Sequence, residues 1–116
     1  MSTEEIFKKM KEAVQLKGAQ IVPKVKAVFV FDIEGKKWTV DLKNENGSVS
    51  EGPAPEGKKV DVTFTVSNEN FQKLVKKEAK AVDLVMSRKM TLKGNPAVAM
   101  KFENALKALE ASDSKL

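Results

Sequence analysis

Few residues in this chain could carry out catalysis. Its 116 residues include no cysteine, histidine or tyrosine, so disulfides, thiolate or imidazole metal ligands and a Ser–His pair cannot form from them. Ser87 is followed closely by Lys89, and a lysine can activate a serine where the fold brings the two together. No serine lies in the G-x-S-x-G turn of hydrolases. We therefore expect no enzymatic activity, and the alternative is a weak thioesterase that depends on Ser87.

The acidic residues lack the spacing of a metal site. No D-x-D-x-D-G loop is present, and the carboxylates are scattered over outward faces of predicted strands and helices. They are Asp32, Glu34, Asp41, Asp61, Asp83 and Glu103. Gly94-Asn95 precede a predicted helix whose N-terminus could hold an anion, but a lone glycine falls far short of a phosphate-binding loop. The sequence predicts neither a bound metal nor a cofactor.

The charge balance favours anionic partners. The chain has 21 basic and 16 acidic residues, a net charge of +5. Lipid head groups, coenzyme phosphates and nucleic acid would all be attracted to such a chain, although a solvated lysine-rich surface is the simplest interpretation. Nucleic-acid binding would need aromatic residues between the lysines of an exposed sheet face. The strand aromatics instead alternate onto the apolar face, so we expect no nucleic-acid partner.

The apolar residues offer the most distinctive chemistry. Among the six phenylalanines and five methionines, Met86, Met90 and Met100 are grouped in the C-terminal half. Methionine adapts its shape to irregular apolar sites, and an interior with few polar groups suits a ligand that is mostly hydrocarbon. The same composition would also serve an ordinary core. Two functions therefore stay open: binding of a hydrophobic ligand, or an interaction module whose core is filled by its own side chains.

An amphipathic helix is predicted at residues 3–17. Ser2 and Glu5 have the spacing of a capping box, and Gly18 offers a C-terminal stop. We expect the helix to pack on the domain's own sheet, with contact to a membrane as the minor alternative. Its apolar positions are Ile6, Phe7, Met10, Ala13 and Val14.

Alternation of apolar and polar residues predicts four or five strands, mainly antiparallel and each apolar on one side only. Further helices are predicted from Asn68, capped by Ser67, and from Pro96, capped by Asn95. Segregated helices on such a sheet make an α+β, two-layer domain. The strand positions are Val25 to Glu34, Trp38 to Leu42, Ser48 to Ser50, Val60 to Val66 and Lys89 to Lys93.

Composition and length limit the class of protein. Apolar residues make up 41% and charged residues 32%, and no apolar run approaches the ~18 residues that cross a bilayer. The N-terminus carries charges of both signs and has no apolar h-region, so we expect no secretory signal. A chain of this length fits one domain, which we place at residues 1–110, with an exposed tail at 111–116.

The segment MSRKMTLKGNPAVAMKFENAL resembles the signature of the sterol carrier protein 2 domain family, also called non-specific lipid-transfer proteins. In that family a short strand, G-K-[LM]-x-[IL]-x-G-[ND], runs into a helix reading x-x-x-A-x-K-[LF]. The matching positions here are Lys89, Met90, Leu92, Gly94, Asn95, Ala99, Lys101 and Phe102. The likeness extends to VKAVFVFDIEGKKWTVDLKNENGSV and VDVTFTVSNENFQKLVKKEAK, and so to nearly all of the chain. Ser87-Arg88 depart from it, since the family usually has a glycine before the lysine of the short strand.

The resemblance implies a five-stranded, mainly antiparallel sheet covered on one face by about five helices, enclosing an apolar tunnel. It also implies a non-catalytic carrier of fatty acids, fatty acyl-CoAs or sterols, with transient membrane contact as a further expectation. Members of the family occur free-standing or fused to enzymes of β-oxidation, and the length of this chain suggests the free-standing form. An accessory scaffold for such enzymes, without a ligand of its own, is the alternative.

Facing and resemblance together predict which residues line the tunnel. The sheet wall would consist of Phe29, Phe31, Trp38, Val62 and Phe64. The helical wall would consist of Phe71, Leu74, Val75, Val82, Val85 and Met86. The C-terminal end would be closed by Met100, Phe102, Leu106 and Leu109. Lysines near the mouth could hold a carboxylate or coenzyme phosphates, and the sequence does not select among them.

The last three residues, Ser114-Lys115-Leu116, form the tripeptide that a receptor reads for import into peroxisomes. A tripeptide recurs by chance, but here it follows a chain that resembles a lipid carrier common in that organelle. We therefore expect the peroxisomal matrix as the location, with a cytosolic pool before import, and the import receptor as a partner.

Overall fold

The computed structural model describes residues 3–54, 58–76 and 78–113, and the surroundings of side chains as far as residue 105. In this part of the chain, four helices and one five-stranded sheet follow each other along the sequence. The α+β class is confirmed, with four helices where about five were expected. The elements are α1 Thr3–Val25, β1 Ala27–Ile33, β2 Lys36–Leu42, β3 Ser48–Glu51, β4 Val62–Val66, α2 Asn68–Val75, α3 Ala81–Met86, β5 Met90–Gly94 and α4 Pro96–Asp113.

The sheet has the strand order β3-β2-β1-β4-β5. Its neighbouring strands pair antiparallel except for β1 and β4, which run parallel. Register decides which side chains share a face: Phe31 of β1 lies opposite Trp38 of β2 and opposite Phe64 of β4. Because paired residues point to the same side, the aromatic residues of three strands converge on one face.

Helix α1 is longer than predicted, because Gly18 does not end it. The helix continues to Val25, and Lys26 then adopts a positive φ of 51°. Gly18 is buried in the helix, where a Cβ atom would collide with the backbone carbonyl of Asn46. The glycine therefore allows the β2–β3 turn to approach the helix closely. The predicted cap residue Ser2 lies outside the described residues.

The face of the sheet that was expected to be wet is partly covered. Val28, Val30 and Thr39 are buried there, where alternation predicted solvent. The segment after β3 lies against this face: the Thr39 hydroxyl donates to the Gly52 carbonyl at 2.9 Å. Lys58 donates to the buried carboxylate of Asp41 at 2.6 Å. These polar contacts hold Gly52 and Lys58 against that face, which explains why part of it is buried.

The C-terminal half differs from the prediction only at element ends. Strand β4 starts at Val62 rather than Val60, and β5 spans Met90–Gly94. The helical region predicted from Asn68 forms two helices, α2 and α3. The predicted caps are confirmed: Ser67 Oγ accepts from the Asn70 N–H at 3.2 Å, and Asn95 Oδ1 accepts from the Ala97 N–H at 2.9 Å. No helix in the described ranges combines the length and the apolar character that a membrane span requires.

Candidate functional site

The aromatic face of the sheet is buried beneath the helices. All five residues predicted for the sheet wall have exposed fractions of 8% or less. Phe31 and Phe64 stack with ring centroids 5.0 Å apart, and Phe29 lies 6.3 Å from Phe64. Strand alternation places these side chains on one face, and pairing of neighbouring strands brings them into contact. The structure thus brings together Phe29, Phe31, Trp38, Val62 and Phe64.

Phe7 of α1, absent from the predicted lining, lies at the centre of this cluster. Its ring stacks on Trp38 at 4.5 Å and on Phe71 at 5.0 Å, and it meets Phe31 edge-on at 5.8 Å. The signal was present in the sequence as the apolar stripe of α1, which we had interpreted only as packing on the sheet. Phe7 therefore joins the sheet wall to the helical wall.

Helix α4 contributes Phe102 to the same cluster. Its ring centroid lies 4.8 Å from that of Phe31 and 5.1 Å from that of Phe29. Met100, two residues earlier, is 67% exposed and faces away from the interior. Leu106 and Leu109, predicted to close this end, lie outside the residues whose side chains the structure describes, and so does the Ser114–Leu116 tripeptide.

The predicted helical wall is only partly formed by the residues that we named. Phe71 and Leu74 of α2 are buried, and Val75 and Val85 are half-buried against the core. Val82 and Met86 of α3 are 56% and 78% exposed, so they do not line the interior. Because α3 is short and separate from α2, its helical phase is its own, and the side chain that it buries is Leu84.

The apolar interior also contains side chains that were not in the predicted lining. Of those on helices, most come from α1, where the period of the apolar residues was visible, and two come from α4. Their contribution depends on how the helices pack rather than on any local pattern. The members on helices are Ile6, Met10, Val14, Ile21, Val25, Leu84, Ala99 and Ala105. The members on strands are Ala27, Ile33, Val40, Leu42, Val49, Val66 and Met90.

A groove of about 540 Å³ opens near the start of α1. Across it Lys36 forms ion pairs with Glu4 at 2.7 Å and with Glu51 at 3.4 Å. The hydrogen bond with Lys36 lowers the pKa of Glu4, and the same bond raises the pKa of Lys36. Trp38 lines the groove and is 8% exposed, and within the described residues its indole N–H has no hydrogen-bond partner. The groove is lined by Thr3, Glu4, Ile33, Glu34, Lys36, Trp38, Asn68 and Gln72.

A second recess, of about 280 Å³, lies between α1 and α4. We call it the lysine recess, because three of its lining residues are lysines. Its other members are two amides and three apolar side chains of the core. The recess is lined by Lys17, Gln20, Ile21, Lys24, Val25, Lys101, Asn104 and Ala105. It thus presents positive charge at the surface above an apolar floor.

Asp41 is a buried carboxylate on the opposite face of the sheet. It accepts hydrogen bonds from the backbone N–H groups of Lys43 and Asn44, from the Asn44 amide and from Lys58. Burial works to raise the pKa of Asp41, but these hydrogen bonds, that of Lys58 first, outweigh it and lower the pKa from 3.8 to about 2. These hydrogen bonds keep the Asp41 carboxylate charged. In return, Asp41 holds the β2–β3 turn and Lys58 in place, so its role is structural.

Ser87, the candidate nucleophile, is engaged at the end of α3. Its hydroxyl donates to the Asp83 carbonyl at 2.8 Å and is 3.3 Å from the Leu84 carbonyl. Arg88 follows with a φ of 62°, which turns the chain away before Lys89. The Ser87 hydroxyl is therefore engaged in hydrogen bonding to carbonyl groups of α3. In the described parts of the chain, no group of three acidic side chains is placed to hold a metal ion.

The sequence and the fold are both similar to those of known proteins. The sequence matches the model of the SCP-2 sterol transfer family over residues 7–107. It is 37% identical over 95 residues to the fatty acid-binding protein of Yarrowia lipolytica, covering 77% of this chain and 72% of that protein. Seven further curated relatives are longer proteins, of which the chain spans 26% or less.

Solved structures show the same fold. The apo form of sterol carrier protein 2 from Yarrowia lipolytica superposes with a TM-score of 0.80 at 31% identity, covering 88% of this chain and 87% of that one. The palmitated SCP2L2 of Aedes aegypti superposes with a TM-score of 0.71 at 29% identity, covering 91% and 95%.

Proposed function

Because the chain belongs to the SCP-2 sterol transfer family, we propose that it is a non-catalytic carrier of lipids with long acyl chains. Fatty acids and fatty acyl-CoAs are the proposed ligands, with sterols as a further class. The observation that carries the proposal is the cluster of buried apolar side chains between the sheet and the helices, built around Phe7, Phe31 and Phe102. The likeness to a fatty acid-binding protein and to a palmitated structure supports the choice of ligand.

The proposed ligand lies between the sheet and the helices, in contact with residues of both. Its lining comprises the buried or half-buried members of the predicted set together with Phe7. Val82, Met86 and Met100 are exposed and are not included. The lining set is Phe7, Phe29, Phe31, Trp38, Val62, Phe64, Phe71, Leu74, Val75, Val85 and Phe102.

Burial of the acyl chain supplies the affinity. Each buried CH₂ group contributes about 0.8 kcal/mol, so a chain of ~16 carbons offers roughly 12 kcal/mol before costs. Loss of motional freedom and ordering of side chains consume much of this, which leaves a Kd near micromolar. Because hydrophobic burial is non-directional, we expect broad selectivity for the acyl chain.

Trp38 provides the test, because it is the sole tryptophan and lies in the proposed lining. Titration with a fluorescent fatty acid should give saturable energy transfer from Trp38, and unlabelled palmitate should compete the probe away. The same fluorophore without an acyl chain is the control. A response that neither saturates nor competes would favour the alternative, an interaction module with a filled core.

We further propose that the carrier acts in the peroxisomal matrix, with a cytosolic pool before import. The Ser114-Lys115-Leu116 tripeptide supports this location, and the import receptor is the proposed partner. There the carrier would supply lipids to enzymes or shuttle them between membrane and enzyme.

A further inference from the structure

We propose that the indole N–H of Trp38 donates a hydrogen bond to an uncharged oxygen of the bound lipid, such as that of an alcohol or an ester. Trp38 is then the residue that determines specificity at the polar end of the ligand. The inference rests on the proposed function, which it deepens by assigning the chemical group that the site recognises and the residue that recognises it.

The indole N–H is a buried donor without a partner. Trp38 is 8% exposed, and its Nε1 atom has no hydrogen-bond partner within the described residues. No other buried side-chain nitrogen or oxygen in that part of the chain is left unpaired. Nearly all buried polar groups of folded proteins are hydrogen-bonded, so such an exception calls for a partner from outside the chain.

Packing holds the indole ring in one orientation. The ring of Phe7 stacks on it at 4.5 Å with an interplanar angle of 5°, and Lys36 Nζ lies 5.1 Å from its centroid. The N–H lies in the plane of the indole, whereas a parallel ring presents its π electrons above that plane, so Phe7 does not accept from it. The donor is therefore fixed before the ligand arrives, and its partner has to approach in the plane of the ring.

Trp38 lies where the apolar interior meets a groove at the surface. It belongs to the buried apolar cluster and also lines the groove of about 540 Å³ near the start of α1. Phe31, its partner across the β1–β2 pair, and Phe7 continue the apolar surface inward. A lipid that lies among these side chains can thus place its hydrocarbon in the interior and its oxygen at Trp38, beside the polar groove.

A single donor suits an uncharged oxygen better than a carboxylate. Asp41 shows what a buried carboxylate requires in this protein, because it accepts hydrogen bonds from two backbone N–H groups, an amide and Lys58. The ammonium of Lys36 lies near the Trp38 ring, but it already pairs with Glu4 at 2.7 Å. A carboxylate buried there would lose more hydration than one N–H returns, whereas an alcohol or ester oxygen would not.

The sole tryptophan gives a single indole N–H resonance, which reports on the donor directly. The ¹⁵N-labelled protein is titrated with four ligands of equal chain length: 1-dodecanol, methyl laurate, laurate and dodecane. The alcohol and the ester should shift the indole proton downfield, because a hydrogen bond deshields it, and should slow its exchange with solvent. Dodecane has no oxygen and should not shift the proton downfield.

Two variants separate the hydrogen bond from the packing. Trp38→Phe removes the N–H, and Phe71→Leu removes apolar contact from the same cluster without removing a donor. Calorimetry measures the affinities, since it does not depend on tryptophan fluorescence. Relative to dodecane, Trp38→Phe should bind the alcohol and the ester about fivefold more weakly, and laurate should change by less than about twofold. Phe71→Leu should weaken the binding of all four ligands by the same factor.

Other outcomes would overturn the inference. These are an equal downfield shift with dodecane and with 1-dodecanol, or an equal loss for all four ligands in Trp38→Phe. A loss confined to laurate would show that the donor holds a carboxylate, which contradicts the choice of an uncharged oxygen. Exchange with solvent that stays equally fast with and without ligand would identify water as the partner and would overturn it too.

Failure of the proposed function gives a distinguishable result, because then no resonance of the protein would move with any of the ligands. Circular dichroism of both variants checks that the fold is retained. If Trp38→Phe does not fold, the titration of the wild type still decides, since it needs no substitution.

Discussion

At the scale of single residues, the buried carboxylate of Asp41 connects the sheet to the segments next to it. Asp41 is 2% exposed, yet every hydrogen bond that it accepts comes from the β2–β3 turn or from Lys58. A buried carboxylate is tolerated only when such donors compensate for lost hydration. Asp41 therefore links the sheet to the β2–β3 turn and to Lys58 through hydrogen bonds.

We predict that Asp41→Asn lowers the free energy of unfolding by about 2 kcal/mol at pH 7. Because the pKa is lowered to about 2 in the folded state, this stabilisation is present above about pH 4 and is lost as the pH falls through about 2. Urea unfolding at several pH values should therefore show the difference between wild type and variant narrowing over that range. A difference that stays constant from pH 7 to pH 2 would contradict this role of the charged carboxylate.

Arg88 occupies a position that suits glycine. The N–H of Arg88 donates to the Val85 carbonyl at 3.1 Å, and the N–H of Lys89 donates to the Leu84 carbonyl at 2.8 Å. These two bonds form the Schellman motif that ends α3, with Arg88 in the left-handed region. A glycine would adopt this conformation without strain.

Arg88→Gly should accordingly raise the free energy of unfolding by about 1 kcal/mol, since a side chain is strained at a φ of 62°. Arg88→Ala keeps the Cβ atom and should give no such gain. Urea unfolding of the three proteins measures the effect. Equal stabilities of the glycine and alanine variants would contradict the explanation.

At the scale of elements, packing between α1 and the β2–β3 turn determines how far the helix extends. Gly18 lies within the helix, with the carbonyl of Asn46 where a side chain would be. In this turn the N–H of Gly47 donates to the Asn44 carbonyl at 3.0 Å. Two glycines thus let the turn and the helix approach each other.

Gly18→Ala provides the test of this contact. Helix propensity alone would favour alanine by about 1 kcal/mol, but the new methyl group must displace the turn, and we expect a net loss of about 1–3 kcal/mol. The exposed neighbour calibrates the propensity: Ala19→Gly should lose about 1 kcal/mol. If Gly18→Ala instead gained stability by that amount, the close approach would not exist in solution.

At the scale of the whole molecule, both faces of the sheet are covered, but by different means. Helices with apolar stripes cover the aromatic face, and a polar loop fastened by Lys58 covers part of the other. The ligand is proposed on the helical side, where apolar side chains of the sheet and the helices meet. The C-terminal tripeptide plays no part in this packing argument and can be tested separately.

Removal of Ser114, Lys115 and Leu116 should leave the affinity for palmitate unchanged and should abolish import into peroxisomes. Fluorescence microscopy of an N-terminally tagged chain, with and without the tripeptide, measures the location. An exchange of the tripeptide for three alanines is the control for length. Import that continues without the tripeptide would reveal another signal.

The sequence by itself determined the elements that depend on neighbouring residues. Alternation in β1 and β2 placed Phe29, Phe31 and Trp38 on one face, because successive strand residues point to opposite sides. The starts of α2 and α4 followed from Ser67 and Asn95, because an N-cap acts on N–H groups two or three residues away. The pattern of strands and helices predicted the α+β class, the family motif added the five-stranded sheet, and the structure confirms both.

Only the tertiary structure decided which residues meet across the chain. Gly18 lies inside a helix, where the backbone of Asn46 packs against it. Val28 and Val30 are buried because the segment held by Lys58 lies over that face of the sheet. The lysine recess likewise exists because α1 and α4 pack together. Local patterns record a residue's own preference, whereas burial and charge are properties of contacts between distant segments, which no local pattern contains.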